Sequence, residues 1–157
     1  MISPGTAAPD FTLQDDQGNE RTMKDFLGKT LVLYAYPKDN TPGCTKEACS
    51  IRDQSHALAS LDAVVVGISP DSVASHAKFK EEHALPFTLL SDPDKTLLQA
   101  LGAWGEKVNY GRKYMGVIRS TFIIDGKGIV EKVWAKVTPA THGEQIAEYL
   151  RKRGGKT

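Results

Sequence analysis

Between residues 30 and 101 the chain alternates between short apolar runs and segments of helical periodicity, and this alternation restricts the fold more than any other feature. Thr30 to Tyr36 (TLVLYAY) is an aromatic and β-branched run bounded by Gly28 and Pro37, the pattern of a strand buried on both faces. Ala48, Ile51, Ala57, Leu58 and Leu61 then recur at roughly helical spacing, and Ala63 to Ile68 is a second apolar run. Ser69-Pro70-Asp71 opens a helix over Ser72 to Ala84, followed by a strand from Phe87 to Leu90 and a short helix from Asp94 to Leu101. Strands alternating with helices imply a mainly parallel sheet.

The flanking segments read as additions to that unit. Phe11 to Thr22 forms a hairpin around Asp15-Asp16-Gln17-Gly18-Asn19, whose Gly and Asn supply turn conformations. A glycine-rich, aromatic loop from Gly102 to Gly116 leads into Val117 to Ile124, which turns at Asp125-Gly126-Lys127-Gly128 and returns through Ile129 to Val137. A final helix runs from Pro139 to Arg153, with Thr138 as its cap. At 157 residues the chain is long enough to bury a core without disulfide or metal staples, and residues 1–157 are expected to form one domain.

Charge and cysteine usage narrow the function. Twenty basic and nineteen acidic residues leave a net charge of +1, which provides no field of one sign to gather nucleic acid or anionic lipid. The basic C-terminal run Arg151, Lys152, Arg153 and Lys156 reads as a solvated tail with no role of its own. Met1-Ile2-Ser3-Pro4-Gly5 lacks the basic start and apolar run of a secretory signal, and no stretch is long enough to cross a bilayer, so a cytoplasmic protein is expected. In a reducing compartment two cysteines are reactive or metal-binding rather than a structural staple.

Cys44 follows Tyr36-Pro37-Lys38-Asp39-Asn40-Thr41-Pro42-Gly43, where a strand and loop hand over to a helix. Helix N-termini carry unpaired N–H groups and the positive end of the macrodipole, which favour a thiolate over a thiol. The commonest fate of a free cysteine is that of a small buried apolar side chain. Here the proline and glycine before Cys44 point instead to a preorganised turn, and Thr41 is placed to aim its hydroxyl back at the sulfur.

These residues resemble the peroxiredoxins, most closely their Q-type, bacterioferritin-comigratory subgroup. The resemblance covers almost the whole chain: Ala8-Pro9-Asp10-Phe11-Thr12-Leu13, then Tyr36 to Thr45 continuing through Lys46-Glu47-Ala48-Cys49, then Trp104-Gly105-Glu106-Lys107 through Arg119-Ser120-Thr121-Phe122. It implies a thioredoxin-like α/β fold, a central mixed β-sheet flanked by helices with an N-terminal β-hairpin. It implies a thiol peroxidase without organic cofactor or metal, acting on hydrogen peroxide and organic hydroperoxides as a monomer and recycled by thioredoxin or a similar dithiol reductant. By the same resemblance Cys44 is the peroxidatic cysteine, Thr41 and Arg119 complete its peroxide site, Pro37 and Pro42 shape and shield the pocket, and Cys49 resolves the oxidised product as a disulfide. Ala35 departs from the bulkier aromatic residue expected at that strand position, which bears on local packing and not on catalysis.

Two magnitudes shape the mechanism. An ordinary cysteine is about 3% thiolate at pH 7, so complete ionisation gains about 30-fold, or about 2 kcal/mol, against the roughly 8–23 kcal/mol by which enzymes lower barriers. Most of the acceleration must come from aligning the O–O bond with the sulfur and stabilising charge on the departing oxygen. Residues five apart on a regular helix have Cα atoms about 8.6 Å apart on largely different faces, and a disulfide needs less than about 7 Å. Closing a Cys44–Cys49 disulfide therefore requires the first turns of the helix to unwind.

Three rival readings stay open at this point. Cys44 and Cys49 with His56, His76, His83 or His142 offer metal-ligand chemistry, although the histidines are scattered. A dithiol–disulfide oxidoreductase or a noncatalytic chaperone would use the same scaffold, but the Cys-x-x-Cys spacing is absent. The aromatic residues Trp104, Tyr110 and Tyr114 either border the substrate pocket or simply pack.

Overall fold

The computed structural model describes residues 1–153, so Lys156 of the basic tail lies outside the described residues. Strand β1 (Thr12–Asp15) ends where the Asp15 carboxylate accepts the amides of Gln17 at 2.9 Å and Asn19 at 3.0 Å, and this closes the hairpin onto antiparallel β2 (Glu20–Thr22). The apolar run that follows is β3 (Thr30–Ala35), every residue of which after Thr30 is buried. Its alternate side chains enter two different cores. Leu31, Leu33 and Ala35 pack with Phe11, Met23 and Phe26, whereas Val32 and Tyr34 pack on the opposite face with Cys44 and Ile51. A strand with a core on each side has no polar face, which is why this run shows no period-two alternation.

After β3 come helices α1 (Pro42–Asp53) and α2 (Ser55–Ser60) and strand β4 (Ala63–Ser69). The apolar periodicity suggested continuous helix; the backbone instead breaks at Gln54, with φ −100° and ψ 8°. Ile51 and Leu58 stay buried in the same core across the break, two helical turns apart in sequence, so the periodicity passed through it unmarked. Helix α3 (Val73–His83) is capped by the Ser72 hydroxyl, which accepts the Ser75 amide at 3.1 Å. Strand β5 (Thr88–Ser91) leads to α4 (Thr96–Leu101), whose first turn is held by buried Asp92, an acceptor from Thr96 and Leu98.

The Gly102–Gly116 segment is a hairpin rather than a loop, β6 (Trp104–Asn109) paired with β7 (Arg112–Val117) in a separate two-stranded sheet. Tyr110 at φ 52° and Gly111 at φ 76° give the two consecutive positive φ values of a tight hairpin turn. A tyrosine at the first of these positions hides the signal that Asn-Gly would have shown. Tyr110 is 97% exposed at the tip and Tyr114 is exposed, while Trp104 packs against the first core. The two tyrosines therefore face water.

Strand β8 (Ser120–Ile124) turns back into β9 (Val130–Trp134) as the expected second hairpin. Thr138 makes no side-chain capping bond; Pro139–Thr141 is a single 3₁₀ turn, and helix α5 proper is His142–Lys152. The seven-stranded sheet has the order β2-β1-β5-β4-β3-β8-β9. Only β3–β4 and β4–β5 among its described ladders are parallel, so the mainly parallel expectation holds for the alternating segment alone. The two hairpins bring in antiparallel ladders at both ends and make the sheet mixed. No described helix is long and apolar enough to cross a membrane.

Candidate active site around Cys44

The chain leaves β3 with one last ladder bond, from the Tyr36 amide to the Ile68 carbonyl at 3.1 Å. Pro37 follows, and having no amide hydrogen it cannot extend the ladder. Helix α1 begins five residues later with Thr41 as its extended cap residue and Pro42 at the first helical position, which sets Cys44 in the first turn. Its first backbone bond runs from the Thr45 amide to the Thr41 carbonyl at 2.9 Å. Cys44 is only 1% exposed, so its sulfur sits beneath the surface at the positive end of the helix.

Arg119 reaches that sulfur from the start of the strand beside β3, next to Ser120, which pairs with Ala35. The single strand expected over Val117–Ile124 is interrupted: β7 ends at Val117, β8 starts at Ser120, and Arg119 lies in the two-residue break. Its Nη2 donates to Cys44 Sγ at 3.3 Å and its Nη1 donates to Glu47 Oε1 at 2.7 Å. A Cβ added at Gly43 would lie 3.2 Å from Arg119 Nη2, so the glycine before the cysteine leaves room for the guanidinium over the helix start. Burial alone would lower the Arg119 pKa, but the charges of Cys44 and Glu47 outweigh it and push the guanidinium further up, locking it in the charged form.

Glu47 is one turn beyond Cys44, fully buried, with Oε2 left without a hydrogen-bond partner. Burial pushes its pKa up to about 7, against the lowering pull of Arg119. The buried Tyr34 hydroxyl is the other unpartnered group among the described residues, and burial together with the charges of Glu47 and Cys44 raises its pKa well above the ordinary phenol. The Thr41 hydroxyl donates to the Lys38 carbonyl at 2.8 Å, not to the sulfur as its sequence position suggested. That local bond uses the one hydroxyl hydrogen, which is then not available to the sulfur. Cys49 lies half-buried on α1, and both cysteines are free thiols.

The family model described as AhpC/TSA family matches residues 4–133. The chain belongs to the AhpC/TSA family of peroxiredoxins. It is 48% identical to peroxiredoxin Bcp of Bacillus subtilis over 150 residues, 96% of each chain. Among solved structures, a cysteine-to-serine mutant of PrxQ from Xylella fastidiosa superposes with a TM-score of 0.91 at 30% identity, over 98% of each chain. The Xanthomonas campestris bacterioferritin comigratory protein, described with alkyl peroxide reduction activity, superposes with a TM-score of 0.86 at 34% identity over 92% of each chain. This peroxiredoxin is accordingly a thiol peroxidase with a thioredoxin-like fold.

Within the peroxiredoxin, the structure brings Cys44 and Arg119 together and keeps Thr41 and Pro37 in the loop before α1. Among the described residues, no three of Cys44, Cys49, His56, His76, His83 and His142 bring their ligand atoms together. His83 meets Asn40 and His142 meets Thr121. The set that does converge is Asp39, Asp71 and His76, whose ligand atoms already bond to protein partners. Sequence reading missed Glu47, although its i,i+3 spacing from Cys44 places it on the same helix face. It also missed Lys107, whose Nζ donates to the Val117 carbonyl at 2.9 Å, at the strand break that presents Arg119.

Proposed function

We propose that Cys44 is the peroxidatic cysteine of this thiol peroxidase, that Arg119 and Thr41 complete its peroxide site with Pro37 shaping the loop, and that Cys49 is the resolving cysteine. The observation that carries this is the Arg119 fork, one arm on the Cys44 sulfur and the other on Glu47. The Cys44 thiolate attacks the nearer peroxide oxygen, a sulfur–oxygen bond forms as the O–O bond breaks, and the departing hydroxide or alkoxide takes up a proton. Arg119, always charged, stabilises the anion on both sides of that step. With its own hydrogen given to Lys38, the Thr41 oxygen keeps lone pairs to accept the hydroperoxide O–H.

The Cys44 sulfenic acid then condenses with the Cys49 thiol, forming the disulfide and releasing water. An external dithiol of thioredoxin type returns both thiols by exchange and is itself oxidised to a disulfide. The resemblance to the Q-type peroxiredoxins supports a monomer, and two cysteines with a reactive rather than a stapling role support a reducing, cytoplasmic compartment.

The deciding experiment treats prereduced protein with one equivalent of hydrogen peroxide and follows thiol content and intact mass. Wild type should lose both thiols as an intramolecular disulfide, Cys49→Ser should stop at oxidised Cys44, and Cys44→Ser should be inert. A Cys44→Ser protein that reacts as fast as wild type would remove Cys44 from the mechanism.

A further inference from the structure

The densest buried polar cluster outside the sulfur's own contacts lies in the loop immediately before it. Asp39, 5% exposed, sits between β3 and α1. Its carboxylate accepts the Tyr36 hydroxyl at 2.6 Å and the Ser75 hydroxyl at 2.8 Å, and it meets His76 Nδ1 at 2.7 Å. Its amide donates to Asp71 Oδ2 at 2.8 Å, and the same oxygen accepts the Ser69 hydroxyl at 2.6 Å. His76, fully buried on α3, has its other nitrogen 2.9 Å from the Leu90 carbonyl.

The hydrogens in this cluster follow from its partners. A carbonyl can only accept, so His76 Nε2 carries a hydrogen. Burial alone would raise the Asp39 pKa, but the hydrogen bond and charge of His76, with Tyr36 and Ser75, hold the carboxyl below its ordinary range. The second nitrogen, Nδ1, shares its 2.7 Å hydrogen bond with the Asp39 carboxyl. The result is a buried, hydrogen-bonded Asp39–His76 pair whose neighbouring groups are all satisfied. It ties the loop to Tyr36 after β3, Ser69 at the end of β4, Leu90 in β5 and the first turn of α3.

Buried polar pairs contribute little net stability compared with apolar packing, because desolvation offsets their attraction. What a fully satisfied network supplies is one geometry. Only Asn40, at φ 60°, and Thr41 separate Asp39 from the start of α1, so pinning Asp39 places Pro42, Gly43 and Cys44 relative to the sheet. Arg119 comes to the sulfur from the β7–β8 break, independently of this loop. The 3.3 Å contact therefore depends on two separately anchored bodies.

We propose that Asp39 and His76 are positioning residues that hold the first turn of α1 in the folded arrangement where Cys44 meets peroxide, against the unwound arrangement where it meets Cys49. This rests on the reading of Cys44 and Cys49 given above. The test separates the two steps. Stopped-flow tryptophan fluorescence and rapid quench with mass analysis follow Cys44 oxidation by hydrogen peroxide, then disulfide formation, in wild type, Asp39→Asn, His76→Gln and the double variant.

Each single variant should oxidise Cys44 about tenfold more slowly, and the double variant no more slowly than either single one, because the two residues act as one pair. Disulfide formation from the sulfenic acid should become severalfold faster in all three. Ser75→Ala, which removes one donor at a partly exposed site and leaves the pair itself, should move both rates in the same directions by a smaller factor. Unchanged rates, or both steps slowed together alongside a lower melting temperature, would mean a merely structural cluster and overturn the proposal. Additive losses in the double variant would overturn the pairing. A wild-type protein whose Cys44 does not oxidise would instead overturn the underlying assignment.

Discussion

In the proposed peroxide site Arg119 acts through shape as much as charge. Its two nitrogens span the Cys44 sulfur and the Glu47 carboxylate at 3.3 and 2.7 Å, a geometry that a lysine, with one point charge, cannot reproduce. Arg119→Lys should therefore lower the rate of oxidation by hydrogen peroxide about 100-fold, the usual effect of losing an oriented donor at a developing anion. Alkylation of Cys44 by iodoacetamide, which reports the thiolate without needing the peroxide site, should fall much less. Equal losses in the two assays would show that Arg119 acts only on thiolate population. The cysteine and its loop were legible in the sequence because the Thr41-Pro42-Gly43-Cys44 run is local. Glu47 was not singled out, since nothing in the sequence says that a glutamate on a helix will face inward toward an arginine 72 residues away.

At the scale of elements, the proposed disulfide needs α1 to be firm at its far end and releasable at its start. Its second half is clamped by α5: the Gly143 amide donates to the Ser50 hydroxyl at 2.8 Å, and a Cβ at Gly143 would overlap the Ser50 carbonyl. Gly143→Ala should force the helices apart and cost about 1–3 kcal/mol of stability, measured by urea unfolding; a loss near zero would mean that α5 shifts freely. Because Cys49 immediately precedes this clamp, the unwinding of α1 that the proposed disulfide requires would stop at Ser50. The hairpin of β6 and β7 shows the other limit of local reading. Its strands leave Val108, Tyr110, Tyr114 and Met115 exposed, so neither the alternation of a half-buried strand nor a standard turn dipeptide marked them.

Across the whole molecule, two buried titrating groups pull stability in opposite directions with pH. Glu47 is raised from 4.5 to about 7, so its contribution is present in full below about pH 4.5 and is lost as pH rises to 7. His142 is lowered from 6.5 to about 4 by burial first, so its contribution is present above about pH 6.5 and is lost as pH falls to 4. Each is worth about 3 kcal/mol, and over their shared window they offset one another. Glu47→Gln removes one side of that balance. Its stability relative to wild type should rise by about 3 kcal/mol between about pH 4.5 and 7, read from urea unfolding at several pH values; a flat difference would show that Glu47 stays ionised throughout. At this scale the sequence by itself determined the strands and helices from Thr30 to Leu101 apart from the break at Gln54, the N-terminal hairpin and the helix start at Cys44, all of which depend on period, turn residues and capping within a few positions. Tertiary structure alone decided the mixed strand order, the break that frees Arg119, and the contacts joining Arg119 to Cys44 and Asp39 to His76, 75 and 37 residues apart. Local propensity says what a segment can become; which groups then share a buried site depends on ladders and packing between segments that carry no mark of one another.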